Sequence, residues 1–460
     1  MKNPILVPEF RDLLRRKKYP ILKSFLDEHH EKEIAEYLGL MHPDEIWKIL
    51  GLVDVYRRAE IFSYLDMDVQ IAMVSVEQKR HVADLLMELS PDDRADLFQH
   101  LGKDLADRLL LILPLKERLD VIKLTSYGEE TAGAIMTTDY STLYESDSVE
   151  DAIKKVRRDA PSKETIYYLY VTDTEGKLIG FISLRKLILA KPKQKIVNLM
   201  KRDIIFAYAD DDQEKAARLI DEYDLIALPV VDFNERLVGI ITHDDAMDII
   251  RDEQTEDLEK IMAISGGVEE NTYLETPAFT HFKKRVFWVV VLAILELMSG
   301  LIIQSFRDTL KNLIILAYYM PLLNSTGGNT GSQSATVVLR SLALGELKPA
   351  DIRKVLKKEL VVSLLISVCV GVLVSLRVLV LSHGSEDIPA SIGLERIAFM
   401  ISLALSIQVV WSTLLGAVIP LFASRMKIDP AVVSSPAIAT FVDVGGITIY
   451  FVTAKMLLGV

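Results

Sequence analysis

The chain has 460 residues and a formal net charge of −12, with 50% hydrophobic and 26% charged residues. That length admits two to four domains, and the acidic excess excludes a nucleic-acid partner, whose phosphates it would repel. A single cysteine, Cys369, excludes an intrachain disulfide framework and a cysteine-built metal site.

A mean hydropathy of +0.25 beside so many charges requires the two kinds of residue to be segregated. Before about Arg285 the sequence is densely charged, and after it come long apolar runs. The opening Met1-Lys2-Asn3-Pro4-Ile5 lacks a signal peptide's apolar core and cleavage site, so the N-terminal half is expected in the cytosol. Residues from about 20 to 130 read as helices. Apolar positions recur at helical spacing in Ala83–Leu89. Ser90-Pro91-Asp92-Asp93 then reads as an N-cap, a proline at the first helical position and acids in the first turn, and His42-Pro43-Asp44-Glu45 is similar. Short helical pairs of this kind predict a superhelical stack.

The grammar changes after Gly128. Tyr167–Val171 and Leu178–Ile182 are strands around a turn at Asp173-Thr174-Glu175-Gly176, with a helix from about Leu184. Leu228–Asp232, a turn at Asn234-Glu235, Leu237–Ile241 and a helix from Asp244 repeat that order. Amphipathic helices, Val149–Arg157 and Gln213–Tyr223, precede the two strand pairs, and a repeat of about sixty residues is an internal duplication. It resembles a tandem pair of CBS domains, modules that often bind adenine nucleotides or ions.

Five stretches reach the roughly 20 apolar residues that a membrane span needs: Val286–Ile303, Leu313–Leu339, Leu360–Leu381, Ile397–Phe422 and Ala437–Leu458. Lys283, Lys284 and Arg285 precede the first, the loop after the second carries Arg340, Lys348, Arg353, Lys354, Lys357 and Lys358 and that after the fourth Arg425 and Lys427, against Arg307 and Lys311 after the first and Arg396 after the third. The positive-inside rule then puts the N-terminus inside and the C-terminus outside.

Ionisable residues inside a span are costly and usually face a cavity or pathway. Glu296, Arg377 and Asp443 are the cases here. Glu296 and Arg377 read as packed or snorkelling side chains. Asp443, followed by Gly445 and Gly446, is either an ion-pathway carboxylate or a structural one, capped by a hydroxyl or paired with Arg377. The second span contains Asn324-Ser325-Thr326-Gly327-Gly328-Asn329-Thr330-Gly331-Ser332-Gln333. Such a run predicts either irregular backbone lining a cavity or a packing seam of small residues.

Gly327–Gln333, Asp429-Pro430-Ala431 and Asp443-Val444-Gly445-Gly446 resemble the MgtE family of magnesium channels and transporters, and the likeness extends over essentially the whole chain. It implies a multidomain protein: an all-α superhelical N domain (1–132), an α+β tandem CBS module (133–200 and 201–258), an acidic connecting "plug" helix (244–282) and a polytopic α-helical transmembrane domain of five helices (283–460). It also implies a homodimer with the pore on its axis, set in lipid in the plasma (cell inner) membrane. Asp443 would hold hydrated Mg²⁺, with Asn329 lining the pore and Asp429 near its cytosolic mouth. The resemblance leads one to expect Asn at position 435, where this chain has Ser435 before Pro436.

Asp245, Asp248, Asp252, Glu256 and Glu259 fall at helical spacing along one face, where like charges repel. A charge run of this kind is ordinarily a solvated face. Its place between the CBS pair and the first span favours a gate that bridging cations neutralise. The resemblance assigns regulatory Mg²⁺ to Asp245, Asp248, Glu253, Glu256 and Asp257, to Asp212, Glu214 and Asp224 in the second CBS copy, and to Glu60, Asp92 and Asp96 in the N domain. ATP is the nucleotide expected of the CBS pair. A Na⁺- or H⁺-coupled carrier is the alternative, with a buried acid such as Glu296 as its coupling site. No nucleophile–base set, Walker loop or His-rich metal motif suggests an enzyme.

Overall fold

The computed structural model describes residues 7–76, 79–266, 273–274, 276–382, 388, 392–426 and 428–459, without the side chains of 79 and 432–437. The chain divides into two compact units, Met1–Glu253 and Gln254–Val460.

The first unit opens with short helices: α1 (Val7–Arg15), α2 (Tyr19–Glu28), α3 (Glu31–Leu38), α4 (Pro43–Leu50), α5 (Val55–Ser63), α6 (Met67–Val76), α7 (Lys79–Glu88), α8 (Pro91–His100), α9 (Lys103–Leu110) and α10 (Leu115–Leu124). Local chemistry sets their starts. His42 and Glu45 form a capping box on α4, and the Ser90 hydroxyl accepts the Asp93 N–H at 3.4 Å at the head of α8, with Pro91 at the first position. From α3 to α8 each helix packs on the next but one, and α8 packs on α10, which is the superhelical stack. Its core contains fully buried Leu22, Ile34, Ile46, Ile61, Phe62 and Met73, each contributing about 1.5–3 kcal/mol through lost apolar exposure.

The CBS module holds two three-stranded sheets. In the first, β1 (Thr142–Tyr144) runs parallel to β2 (Tyr168–Thr172), which pairs antiparallel with β3 (Leu178–Ser183); α11 (Val149–Asp159) lies between β1 and β2, and α12 (Leu184–Leu189) follows β3. β4 (Ala207–Tyr208), α13 (Gln213–Glu222), β5 (Ala227–Val231) and β6 (Leu237–Thr242) repeat this order and register, down to an irregularity at the same place in each central strand. Each hairpin turn is held the same way. Asp173 Oδ1 accepts from the amides of Glu175 and Lys177, and Asp232 Oδ1 from those of Asn234 and Arg236, all at 2.8–2.9 Å. The copies are also exchanged in space. The segment opening the first repeat bridges from Thr137 to Ile240 of the second, and Lys201 bridges back to Phe181 of the first. Met136 and Met200 lie against Gly239 and Gly180, where a Cβ would collide with the methionine sulfur.

α14 (His243–Ile261) is continuous through the acidic run and belongs to both units. The second unit continues with α15 (Ala278–Ser305), a short α16 (Arg307–Asn312), α17 (Ile315–Ala343), α18 (Ile352–Leu381), α19 (Leu394–Arg425) and α20 (Pro430–Leu458). α17, α19 and α20 pack mutually, α18 lies against α19, and α15 against α20. Tyr450 and Phe451 are fully buried among them, and the Tyr450 hydroxyl donates to the Leu316 carbonyl at 3.0 Å.

Four stretches are long and apolar enough to cross a membrane: Ala278–Ser305, Pro349–Leu381, Leu394–Arg425 and Ile438–Leu458. α17 has the length, 29 residues, but its polar run dilutes it. Two expectations change. The Gly- and Asn-rich run is unbroken helix rather than irregular backbone, and the last helix begins at Pro430, ahead of the Ala437 expected from hydropathy, because Asp429 caps it.

Candidate functional site

The first unit gathers carboxylates at the heads of two helices. α8 brings Asp92 and Asp93 in its first turn, where the helix dipole favours negative charge, and Asp96 one turn on. α14 brings Asp244 and Asp245 immediately after β6, and the loop before β2 brings Glu164. Their charges act on one another. Burial, then the Asp245 and Asp93 charges, hold Asp92 well above the usual carboxylate range, and its Oδ1 is a buried oxygen without a hydrogen-bond partner. Asp96 and Glu164 still reach solvent at one side. Protein packed around their other sides, with Asp93 and Asp245 as leading charged neighbours respectively, pushes each to about 7. Burial takes Asp245 to about 6, against the lowering effect of the Thr242 hydroxyl that donates to it. Arg94, the buried cation nearby, spends a guanidinium N–H on the Leu86 carbonyl at 2.9 Å.

This oxygen-only donor set suits a hard cation. Among the described residues no three side chains converge closely enough to ligate an ion directly.

Of the residues singled out from sequence, the structure brings together Asp92, Asp96 and Asp245, and it adds Asp93, Asp244 and Glu164. Asp93 and Asp244 sat in motifs already noted, whereas nothing in the sequence around Glu164 signalled its role. The others have local engagements. Glu60 pairs with Arg57 at 3.5 Å, and Asp248 with Arg251 at 2.8 Å. Glu253 accepts from Gln213 Nε2 at 2.9 Å. Asp212 caps α13 through the Glu214 amide, Glu214 itself pairs with Arg218, and Asp224 sits exposed in a left-handed turn (φ 51°). Asp257 is half-buried on α14.

In the second unit α17 has two polar faces. One is a seam of small residues: Gly331 lies so close to Gly416 that a Cβ on the latter would strike its backbone, Thr330 Oγ1 meets Ser412 Oγ at 2.6 Å, and Ser334 donates to Glu359 at 2.9 Å. The other face, Ser325, Asn329, Gln333 and Thr336, is exposed. Asp443 is half-buried midway along α20. Arg377 is not its partner, because that guanidinium stacks 4.9 Å above the Tyr319 ring.

Asp429 has two engagements. Its Oδ1 accepts the Ala431 N–H at 2.8 Å, capping α20, and its Oδ2 lies 2.9 Å from Lys260 Nζ in the last turn of α14. Lys260 also meets Glu256 at 3.0 Å. Burial works against the Lys260 charge, but the hydrogen bonds to Asp429 and Glu256 outweigh it and hold the ammonium above its usual range. Ser435 falls outside the described side chains.

A tandem CBS module and a bundle of apolar helices in one chain define a multi-pass membrane protein that carries a CBS pair. The "Divalent cation transporter" family profile matches residues 320–453, that of the "MgtE intracellular N domain" 29–130, and that of the CBS domain 132–193 and 196–252. The magnesium transporter MgtE of Thermus thermophilus is 34% identical over 440 residues, 95% of either chain. Its namesake in Bacillus subtilis is 31% identical, over 97% of this chain and 93% of the relative. The crystal structure of the cytosolic domain of the Mg²⁺ channel MgtE in complex with ATP superposes on 53% of this chain and all of its own, at 34% identity and a TM-score of 0.50. The chain belongs to the MgtE family.

Proposed function

We propose that the chain is a Mg²⁺ channel of the plasma membrane, formed by two copies and closed by cytosolic Mg²⁺. The observation that carries the reading is the carboxylate group at the heads of α8 and α14 and in the loop before β2, where burial first and neighbouring carboxylate charges second hold Asp92, Asp93, Asp96, Glu164 and Asp245 above the usual carboxylate range. Such a group binds whatever positive charge is offered, and a cation that prefers the closed arrangement shifts the population toward it by that differential affinity.

α17 is read as a fifth span, about 44 Å long at 1.5 Å per residue. Its exposed stripe of Ser325, Asn329, Gln333 and Thr336 cannot face hydrocarbon, and it supports a wet path shared with a second copy. Asp443 is the carboxylate on that path, with Asn329 on the polar stripe of α17 lining it and Asp429 at the mouth. The N-terminus lies inside and the C-terminus outside. α14 carries Asp245 in its first turn and Lys260 in its last, so it is the element that closure moves, and the Lys260–Asp429 bond belongs to the closed state. The ATP-bound relative supports a nucleotide on the CBS pair as a further regulator.

The test is Mg²⁺ uptake into proteoliposomes with lumenal or bath Mg²⁺ varied on the cytosolic side. Uptake that falls as cytosolic Mg²⁺ rises, and that no Na⁺ or proton gradient drives, is expected. Uptake that stops without such a gradient would replace the channel by a coupled carrier.

A further inference from the structure

The apolar stretch of α15 from Phe287 to Ile303 carries one charge, Glu296, and one hydroxyl, Ser299, three residues further on and therefore on the same side of the helix. Ser299 is the residue α15 buries, and its hydroxyl has no hydrogen-bond partner. α15 packs on α20, and the Glu296 charge acts on Asp443. Glu296 itself is exposed beside Leu295, Leu297 and Met298. Among the described residues it has no basic partner.

Two carboxylates at membrane depth on helices that pack together, without a basic partner among the described residues, are an unfavourable arrangement. It becomes favourable when a positive charge lies between them. Mg²⁺ is commonly held by one or two carboxylates while it keeps several waters, and an orphan hydroxyl beside them can accept or donate to one of those waters. We propose that Glu296 is a second carboxylate of the ion path, which together with Asp443 and the Ser299 hydroxyl holds a hydrated divalent cation. The inference rests on the reading of Asp443 as a pore residue.

The experiment is Mg²⁺ uptake by the full chain in liposomes, read as the half-saturating Mg²⁺ concentration and the maximal rate. Glu296→Gln is expected to raise the half-saturating concentration about tenfold, Glu296→Asp to stay within about threefold of wild type, and Ser299→Ala to raise it about threefold. Removing a charge from an apolar helix should leave elution unchanged and should not lower thermal stability. Should the glutamine variant fail to fold, the uptake preference of Glu296→Asp for Mg²⁺ over Mn²⁺ decides, and an altered ratio is expected. The proposal falls if Glu296→Gln and Glu296→Leu saturate like wild type while Asp443→Asn is silent. It falls equally if Glu296→Gln removes only a response to an imposed proton gradient. If Asp443→Asn itself conducts normally, the pore reading fails along with it.

Discussion

α8 and α20 start alike, with a capping side chain, a proline at the first helical position and a carboxylate close by, yet the two carboxylates meet opposite surroundings. At the head of α20, Asp429 has both oxygens engaged, one by the Ala431 amide and one by Lys260. At the head of α8, Asp92 keeps one buried oxygen unpartnered and faces Asp245 and Asp93. The first carboxylate is satisfied by the chain itself. The second is held above the usual carboxylate range by burial and by neighbouring carboxylate charges, which favours a proton on it. Acids that fold leaves unsatisfied are the ones to read as binding groups, and acids already paired are the ones to read as joints.

The largest effect expected from that contrast lies in the membrane unit, where Asp443 has no pairing with Arg377. Asp443→Asn should lower Mg²⁺ uptake at least about a hundredfold, as losing the carboxylate that compensates a hydrated divalent ion away from bulk water does. Arg377→Ala should leave uptake within about twofold, because the guanidinium stacks on Tyr319. Equal damage from both would make the carboxylate structural. Next in size is the first unit. Asp92→Asn together with Asp245→Asn should raise the cytosolic Mg²⁺ needed for half-closure about tenfold without changing uptake at low Mg²⁺. Unchanged closure in that variant would remove the gate from this group.

How much of this was legible in sequence differs between the same two regions. The N-caps, the duplicated strand pairs and the apolar spans were readable, because each is decided by neighbours a few residues apart. Asp92, Asp96 and Asp245 could be named from the family resemblance. Their meeting with Glu164 could not be derived, since it depends on three segments converging in the folded unit. The polar run of α17 was ambiguous for a similar reason. Its glycines fit a continuous helix only because α19 presents Gly416 and Ser412 opposite them.

A smaller effect concerns protons. Asp96 and Glu164 are raised to about 7 and Asp245 to about 6, so between the ordinary carboxyl values near 4 and about 7 the folded unit holds more protons than the unfolded chain. Its stability must then fall as pH rises through that window and level off above it. In chelator, the first unit should melt about 5 °C lower at pH 8 than at pH 5.5, and Mg²⁺ should restore most of the difference at pH 8. Asp96→Asn with Glu164→Gln should flatten the slope. A melting temperature that rises with pH in chelator would contradict the raised carboxyls.

The smallest effect belongs to the joint. The Lys260–Asp429 pair is partly exposed, and pairs of that kind contribute up to about 1 kcal/mol, a factor of about five in an equilibrium. Lys260→Ala should therefore raise the Mg²⁺ needed for closure by no more than about fivefold, and Lys260→Arg should restore it. Asp429→Asn separates the two functions of that carboxylate, because asparagine caps a helix about as well as aspartate but cannot pair with an ammonium. If the pair holds α14 in the closed state, the asparagine variant should match Lys260→Ala and the two changes together should add nothing further. If capping is all that Asp429 does, Asp429→Asn will close like wild type, and the last turn of α14 must be held by something other than its lysine.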